Sequence, residues 1–113
     1  MSGIVEEKIG DVLVEIINLD RATLNEAQEL KTNLSRRIDE GYRKIIIDLS
    51  ACDFVDSTFL GVLVGTLKKI TKLNGDLKIV GFRPAVKSMF ELTRLFRIFE
   101  TFTDLQDAIR SFT

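Results

Sequence analysis

The spacing of apolar and polar positions changes several times along the chain, and each change marks an element. Ile4 to Lys8 and Val12 to Ile17 are β-rich runs on either side of Ile9-Gly10-Asp11, the pattern of a hairpin. In the second run Val12, Val14 and Ile16 alternate with Leu13, Glu15 and Ile17, which predicts a strand with one strongly buried face. After Asp20 the spacing becomes helical, with Leu24, Ala27, Leu30, Leu34 and Ile38 on one stripe. Thr23-Leu24-Asn25-Glu26 reads as a capping box at its start and Gly41 as its stop. Lys44 to Leu49 is almost continuously apolar and predicts a central strand covered on both faces.

The second half repeats the alternation. Asp56 reads as the N-cap of a helix running to about Leu73, ended by Asn74-Gly75. Leu77 to Val80 is the next strand, and Pro84 suits the first turn of a helix reaching roughly Thr93. Ile98 to Thr101 predicts a short strand. Thr103-Asp104-Leu105-Gln106 reads as a second capping box, followed by the stripe Leu105, Ala108, Ile109 and Phe112. The order ββαβαβαβα predicts an α/β fold: a central mixed, mostly parallel sheet of about five strands, with four helices and right-handed crossovers. No linker, repeat or low-complexity tract interrupts it, so residues 1–113 read as a single domain.

Composition narrows the chemistry. Sixteen basic residues nearly cancel seventeen acidic ones, so no net field draws nucleic acid or an anionic membrane. No apolar run approaches the roughly 20 residues of a membrane span, and MSGIVEEKIG lacks the marks of a signal peptide, which together predict a cytoplasmic protein. There is no histidine, the commonest general base and metal ligand. The lone Cys52 reads as a small buried residue. With no glycine-rich phosphate loop and no ligand pair of the CxxC kind, the expectation is a non-enzyme without cofactor or metal. Lys68, Lys69 and Lys72 read as a solvated basic face, and most of Met89, Phe90, Leu92, Leu95, Phe96 and Phe99 as core.

The informative stretch is IIIDLSACDFVDSTFLGVLVGTL, residues 45–67. A buried strand delivers the chain to a polar loop holding Ser50, Asp53, Asp56 and Ser57, and the chain then turns into a helix. With Asp56 as N-cap, Ser57 stands at the first helical position beside free amide donors, where a phosphate could be held. That phosphate would add about −1.5 to −2 charges, with Asp53 and Asp56 nearby to repel it. The same Asp-Ser-Thr run also serves as a cap alone.

IIIDLSACDFVDS, the helix start DSTFLGVLVG, Leu19-Asp20 before the Thr23-capped helix, and the stretch from Asn74 to Ile109 together resemble the anti-sigma factor antagonists, the STAS domain family, over essentially the whole chain. The resemblance implies a STAS-type fold and a partner-switching role without catalysis. In that family the unphosphorylated protein binds an anti-sigma factor that is also a serine kinase, freeing the sigma factor. Phosphorylation of the serine matching Ser57 ends the complex, and a metal-dependent serine phosphatase restores it. ATP and magnesium then belong to the partner. The resemblance places Asp20, Asp48, Asp53, Asp56 and Thr58 in the loop around the phosphosite. It places Phe59, Gly61 and Val62 on the partner-binding side, and together with the lack of a coiled-coil pattern it implies a monomer. Phe59 departs from the family, which usually has glycine there. Its ring either fills a gap in the core or projects beside the phosphosite and enlarges an apolar surface. A non-switching scaffold in a larger signalling or transport assembly is the alternative that this departure leaves open.

Overall fold

The computed structural model describes residues 3–113. The opening hairpin pairs β1 (Ile4–Ile9) antiparallel with β2 (Val12–Ile17) across a two-residue turn at Gly10-Asp11, where Gly10 takes φ +61°. The chain continues through β3 (Arg21–Ala22), α1 (Leu24–Asp39), β4 (Lys44–Asp48), β5 (Phe54–Val55), α2 (Ser57–Thr71) and β6 (Asp76–Val80). It ends with α3 (Pro84–Leu92), a 3-10 turn at Leu95–Arg97, β7 (Thr101–Phe102) and α4 (Leu105–Arg110).

Five strands form the main sheet in the order β1-β2-β4-β6-β7, parallel from β2 onward. Because β2, β4 and β6 succeed one another in one direction, right-handed crossovers bring their helices to the same face. Leu13, Ile45, Ile47, Leu77 and Ile79 point to that face and pack with Leu30 and Leu34 of α1, Phe59, Leu63 and Ile70 of α2, and Val86 and Phe90 of α3. Val12, Val14, Ile46 and Val80 point the other way, where Ala108 of α4 meets them.

This second layer corrects the expectation of one buried face on β2: Val12 to Glu15 and Ile17 are all buried. Three boundaries also shift. The last strand is Thr101–Phe102 rather than Ile98 to Thr101, because the 3-10 turn carries Phe99 inward toward Phe90, ring centroids 6.2 Å apart. Helix α4 is capped by Asp104, whose carboxylate accepts from Gln106 N at 2.7 Å, instead of a Thr103 box. Leu24 is exposed, so the buried stripe of α1 begins at Ala27. At the start of that helix the Thr23 amide and hydroxyl both reach the Glu26 carboxylate, at 3.0 and 3.2 Å.

Two ionisable side chains interrupt the layers. Lys78 of β6 lies under α4, paired with Glu100 at 3.0 Å, bonded to the Ser111 hydroxyl at 2.6 Å and 4.1 Å from the centre of the Phe112 ring. It pins the short α4 through its charge and its aliphatic stem. Glu15 is completely buried on the opposite face and stands directly across from Glu6 in the hairpin register. Arg37 of α1 pairs with Glu6 at 2.5 Å, which holds Glu6 below the usual carboxylate range. Both Glu15 oxygens and the second Glu6 oxygen are buried with no hydrogen-bond partner among the described residues, which favours the neutral form of Glu15 beside Glu6. Burial, and then the Glu6 carboxylate, push Glu15 up to about 8.

A carboxyl raised in the folded state binds more protons there than when unfolded, so stability falls as pH climbs from the ordinary value of 4.5 to about 8 and is level above that. Glu6 acts in the other window: its stabilisation is present above its unfolded value and is lost on acidification through its lowered one. Urea unfolding should therefore show wild-type stability declining between those pH limits, whereas Glu15→Gln flattens the decline. An equally steep profile for both proteins would remove the buried acid from the account.

Candidate functional site

The loop after β4 is built from short polar fixtures. Asp48 accepts from Ser50 N at 2.9 Å and from the Ser50 hydroxyl at 2.6 Å, closing the turn that leaves the strand. Ser50 lies against Gly81, which follows β6 at φ +78°. A Cβ there would stand 2.1 Å from Ser50 Oγ and 2.8 Å from its Cα, so only glycine lets the two loops meet. Arg83 bridges the same pair of loops, donating to Ser50 O and to the Asp53 carboxylate, both at 2.9 Å.

From Asp53 onward the loop is tied to the segment before α1. Asp53 N and Phe54 N donate to Asp20 O at 2.7 and 3.1 Å, and Asp56 N donates to Ala22 O at 3.2 Å. These bonds flank a two-stranded parallel ribbon of β3 and β5, separate from the main sheet. The Arg21 guanidinium covers the Phe54 ring at 4.3 Å from its centre. Val55 and Ala22 are buried under the ribbon. Cys52 is buried as well, its sulfur 3.5 Å from Ile17 O, and burial pushes its thiol up to about 11.

Helix α2 begins where the ribbon ends. Asp56 caps it by accepting from Phe59 N at 2.8 Å. Ser57 and Thr58, the first two helical residues, are both exposed. Their amides stand at positions that lack intrahelical partners. Phe59 is fully buried and among the largest enclosed side chains of the core. It is therefore removed from the expected partner-binding set: its ring fills the interior beneath the helix start, and its burial withdraws the support that it lent to the scaffold alternative. Gly61 is exposed and Val62 half-buried on the outer side of α2.

The structure thus gathers Asp20, Asp53, Asp56, Ser57 and Thr58 at the ribbon and the helix start, while Asp48 serves the Ser50 end of the loop. Three of these four carboxylates have separate tasks: Asp48 holds Ser50, Asp53 holds Arg83 and Asp56 caps the helix. Pairing with Arg83 offsets the charge of Asp53, leaving Asp56 as the carboxylate next to Ser57 in the chain. Sequence reasoning missed Arg83, Gly81 and the ribbon. Gly81-Phe82-Arg83-Pro84 carried a partial signal, a glycine two residues ahead of a helix-starting Arg-Pro. A two-residue strand has too few positions to show a period.

A profile of the STAS domain matches residues 13–108. An anti-sigma-B factor antagonist of Staphylococcus aureus is 35% identical over 77 residues, covering 68% of each chain. The crystal structure of an anti-sigma factor antagonist from Mycobacterium paratuberculosis superposes with TM-score 0.85 at 25% identity, covering 96% of this chain and 91% of that one. An anti-sigma-factor antagonist (STAS) domain protein of Planctomyces limnophilus shares the fold with TM-score 0.86 at 18% identity, over 100% and 99% of the two chains. Among the described residues no helix is long and apolar enough to cross a membrane.

Phe59→Ala should empty a dry, packed site and cost about 3–5 kcal/mol, a fall of more than about 10 °C in Tm for a domain of this size. Thermal unfolding followed by circular dichroism checks this; a change of only a degree or two would place the ring at the surface.

Proposed function

The chain belongs to the STAS domain family, beside the anti-sigma factor antagonists, and from that premise we propose that it is such an antagonist, switched by phosphate on Ser57. In the unphosphorylated state it binds an anti-sigma factor that is also a serine kinase and so releases the sigma factor. The kinase brings its own ATP and magnesium, transfers a phosphoryl group to the Ser57 hydroxyl and lets the product go. A metal-dependent phosphatase resets the cycle. Ser57 is an acceptor, and the domain acts in the cytoplasm as a monomer.

The observation that carries this reading is the exposure of Ser57 on a helix start whose flanks are both fixed. Asp56 holds the Phe59 amide at 2.8 Å, and the Phe59 ring is locked in the core. A kinase can reach the hydroxyl without unfolding anything. The amides of Ser57 and Thr58 and the positive end of the helix dipole favour an anion there. Gly61 and Val62 flank it along the helix as partner contacts, with Asp20, Asp53 and Thr58 shaping the approach.

The charge decides the direction of the switch. A phosphate adds about −1.5 to −2 charges, and enclosing an unpaired charge in an interface costs several kcal/mol. Each ~1.4 kcal/mol is a factor of ten in affinity. Such a cost is ample for release, while the fold keeps every buried contact.

Incubation with the cognate kinase and ATP should add the mass of one phosphate, placed on Ser57 by fragmentation. Ser57→Asp should weaken the complex by about tenfold or more, and Ser57→Ala should bind like wild type. If Ser57→Asp binds the kinase as tightly as wild type, the switch reading is wrong.

A further inference from the structure

Beside the cap, a groove of about 320 Å³ runs between α1 and α2. Lys31 and Ser35 line it from α1, and Thr58, Gly61, Gly65 and Lys69 are among the residues that line it from α2. Apart from the neighbouring residues and backbone of α2 itself, no atom lies within 4 Å of where a Cβ would stand at Gly61 or Gly65, so α2 is bare along this side. The charge of the groove has one sign. No carboxylate lines it, α2 carries no acidic residue from Ser57 to Thr71, and Lys68 and Lys72 stand exposed farther along the helix. Lys31 and Lys69, like most of the basic side chains, have no ion-pair partner among the described residues; they are set apart by flanking one groove with no carboxylate in its lining.

A nearly neutral chain has thus set two unpaired cations on the rims of an open groove next to its switch residue. We propose that the groove seats an acidic helix of the anti-sigma factor, whose carboxylates meet Lys31 and Lys69 while its backbone approaches Gly61 and Gly65. A third helix laid across two packed ones is an ordinary ridge-and-groove arrangement, and bare glycine positions allow the closest approach. The identity of the partner rests on the function proposed above; the acidic chemistry of the seat rests on the groove itself. The two fit together through Thr58, which lines the groove and follows Ser57 in the chain. A phosphate on Ser57 would face the acidic helix at that end, so repulsion accounts for release without movement of α2.

The seat can be tested without the kinase. An amphipathic peptide of about 18 residues, roughly five helical turns, carrying leucines on one face and glutamates elsewhere, is titrated into the 15N-labelled chain. A matched peptide with lysine in place of glutamate is the control. The acidic peptide should move the amides of Thr58, Gly61, Gly65 and Lys69, less so as salt is added, and the basic peptide should not. Lys69→Glu should weaken binding about tenfold. Arg110→Glu, the same change of charge on α4 across the sheet, should leave it within about twofold. Absence of shifts, shifts centred elsewhere, an equal response to the basic peptide, or equal loss in both variants would overturn the proposal. Normal peptide binding by a chain whose Ser57 accepts no phosphate would instead defeat the switch and leave the seat standing.

Discussion

Ser57 is held out to solvent by an anchor that closes over three residues. Asp56 accepts the Phe59 amide, and the Phe59 side chain runs into the core between α2 and the sheet. The polar end of the anchor satisfies a helix-start donor, and the apolar end removes a large ring from water. Residues 57 and 58 lie between the two ends, fixed in backbone and free in side chain. Upstream, the ribbon of β3 and β5 and the Arg83 bridge hold the loop against the segment before α1 and the start of α3. The exposed serine is therefore one of the better-positioned atoms on the surface.

The same architecture explains why the site sits at one end of the sheet. Parallel order from β2 to β7 sends every strand's carboxyl end the same way, so the loops after β4 and β6 meet there, with Gly81 permitting contact at Ser50. At the hairpin side of the layer the buried Glu15 faces Glu6, with which Arg37 pairs. Across the sheet Lys78 fastens α4. Each places an ionisable side chain where apolar residues usually lie: Lys78 offsets the loss of hydration with partners from beyond β6, and burial pushes Glu15 toward its neutral form.

Much of this was legible in the sequence because long elements repeat their signals. The α1 stripe from Ala27 onward, the Asp56 cap, the helix-starting Pro84 and the central strand within the apolar run Lys44 to Leu49 stand where their patterns put them. The misreadings have local causes. The alternation in β2 predicted a single buried face because nothing in a strand announces that a helix about ninety residues later in the chain, α4, will cover its second face. Thr101 displaced Ile98 as the strand start because the aromatic cluster of Phe82, Phe90 and Phe96 draws the intervening turn inward. Phe59 could face either way by spacing alone, and only packing decided it. Arg83 and Lys31 gain their meaning from neighbours distant in the chain, which no local window contains.

On the proposed function, phosphate on this fixed scaffold would change affinity and spare the fold. The anchor would keep that phosphate where a partner meets it, and the core beneath would have no reason to respond. The most direct measurement compares amide chemical shifts of the phosphorylated and unphosphorylated chain, purified and free of partner. The account predicts changes confined to the start of α2, the β5 side of the ribbon and the groove-facing amides, with Phe90, Ile45 and Leu77 unmoved. Changes spread through those core amides would mean that phosphate acts by rearranging the fold, and would contradict it.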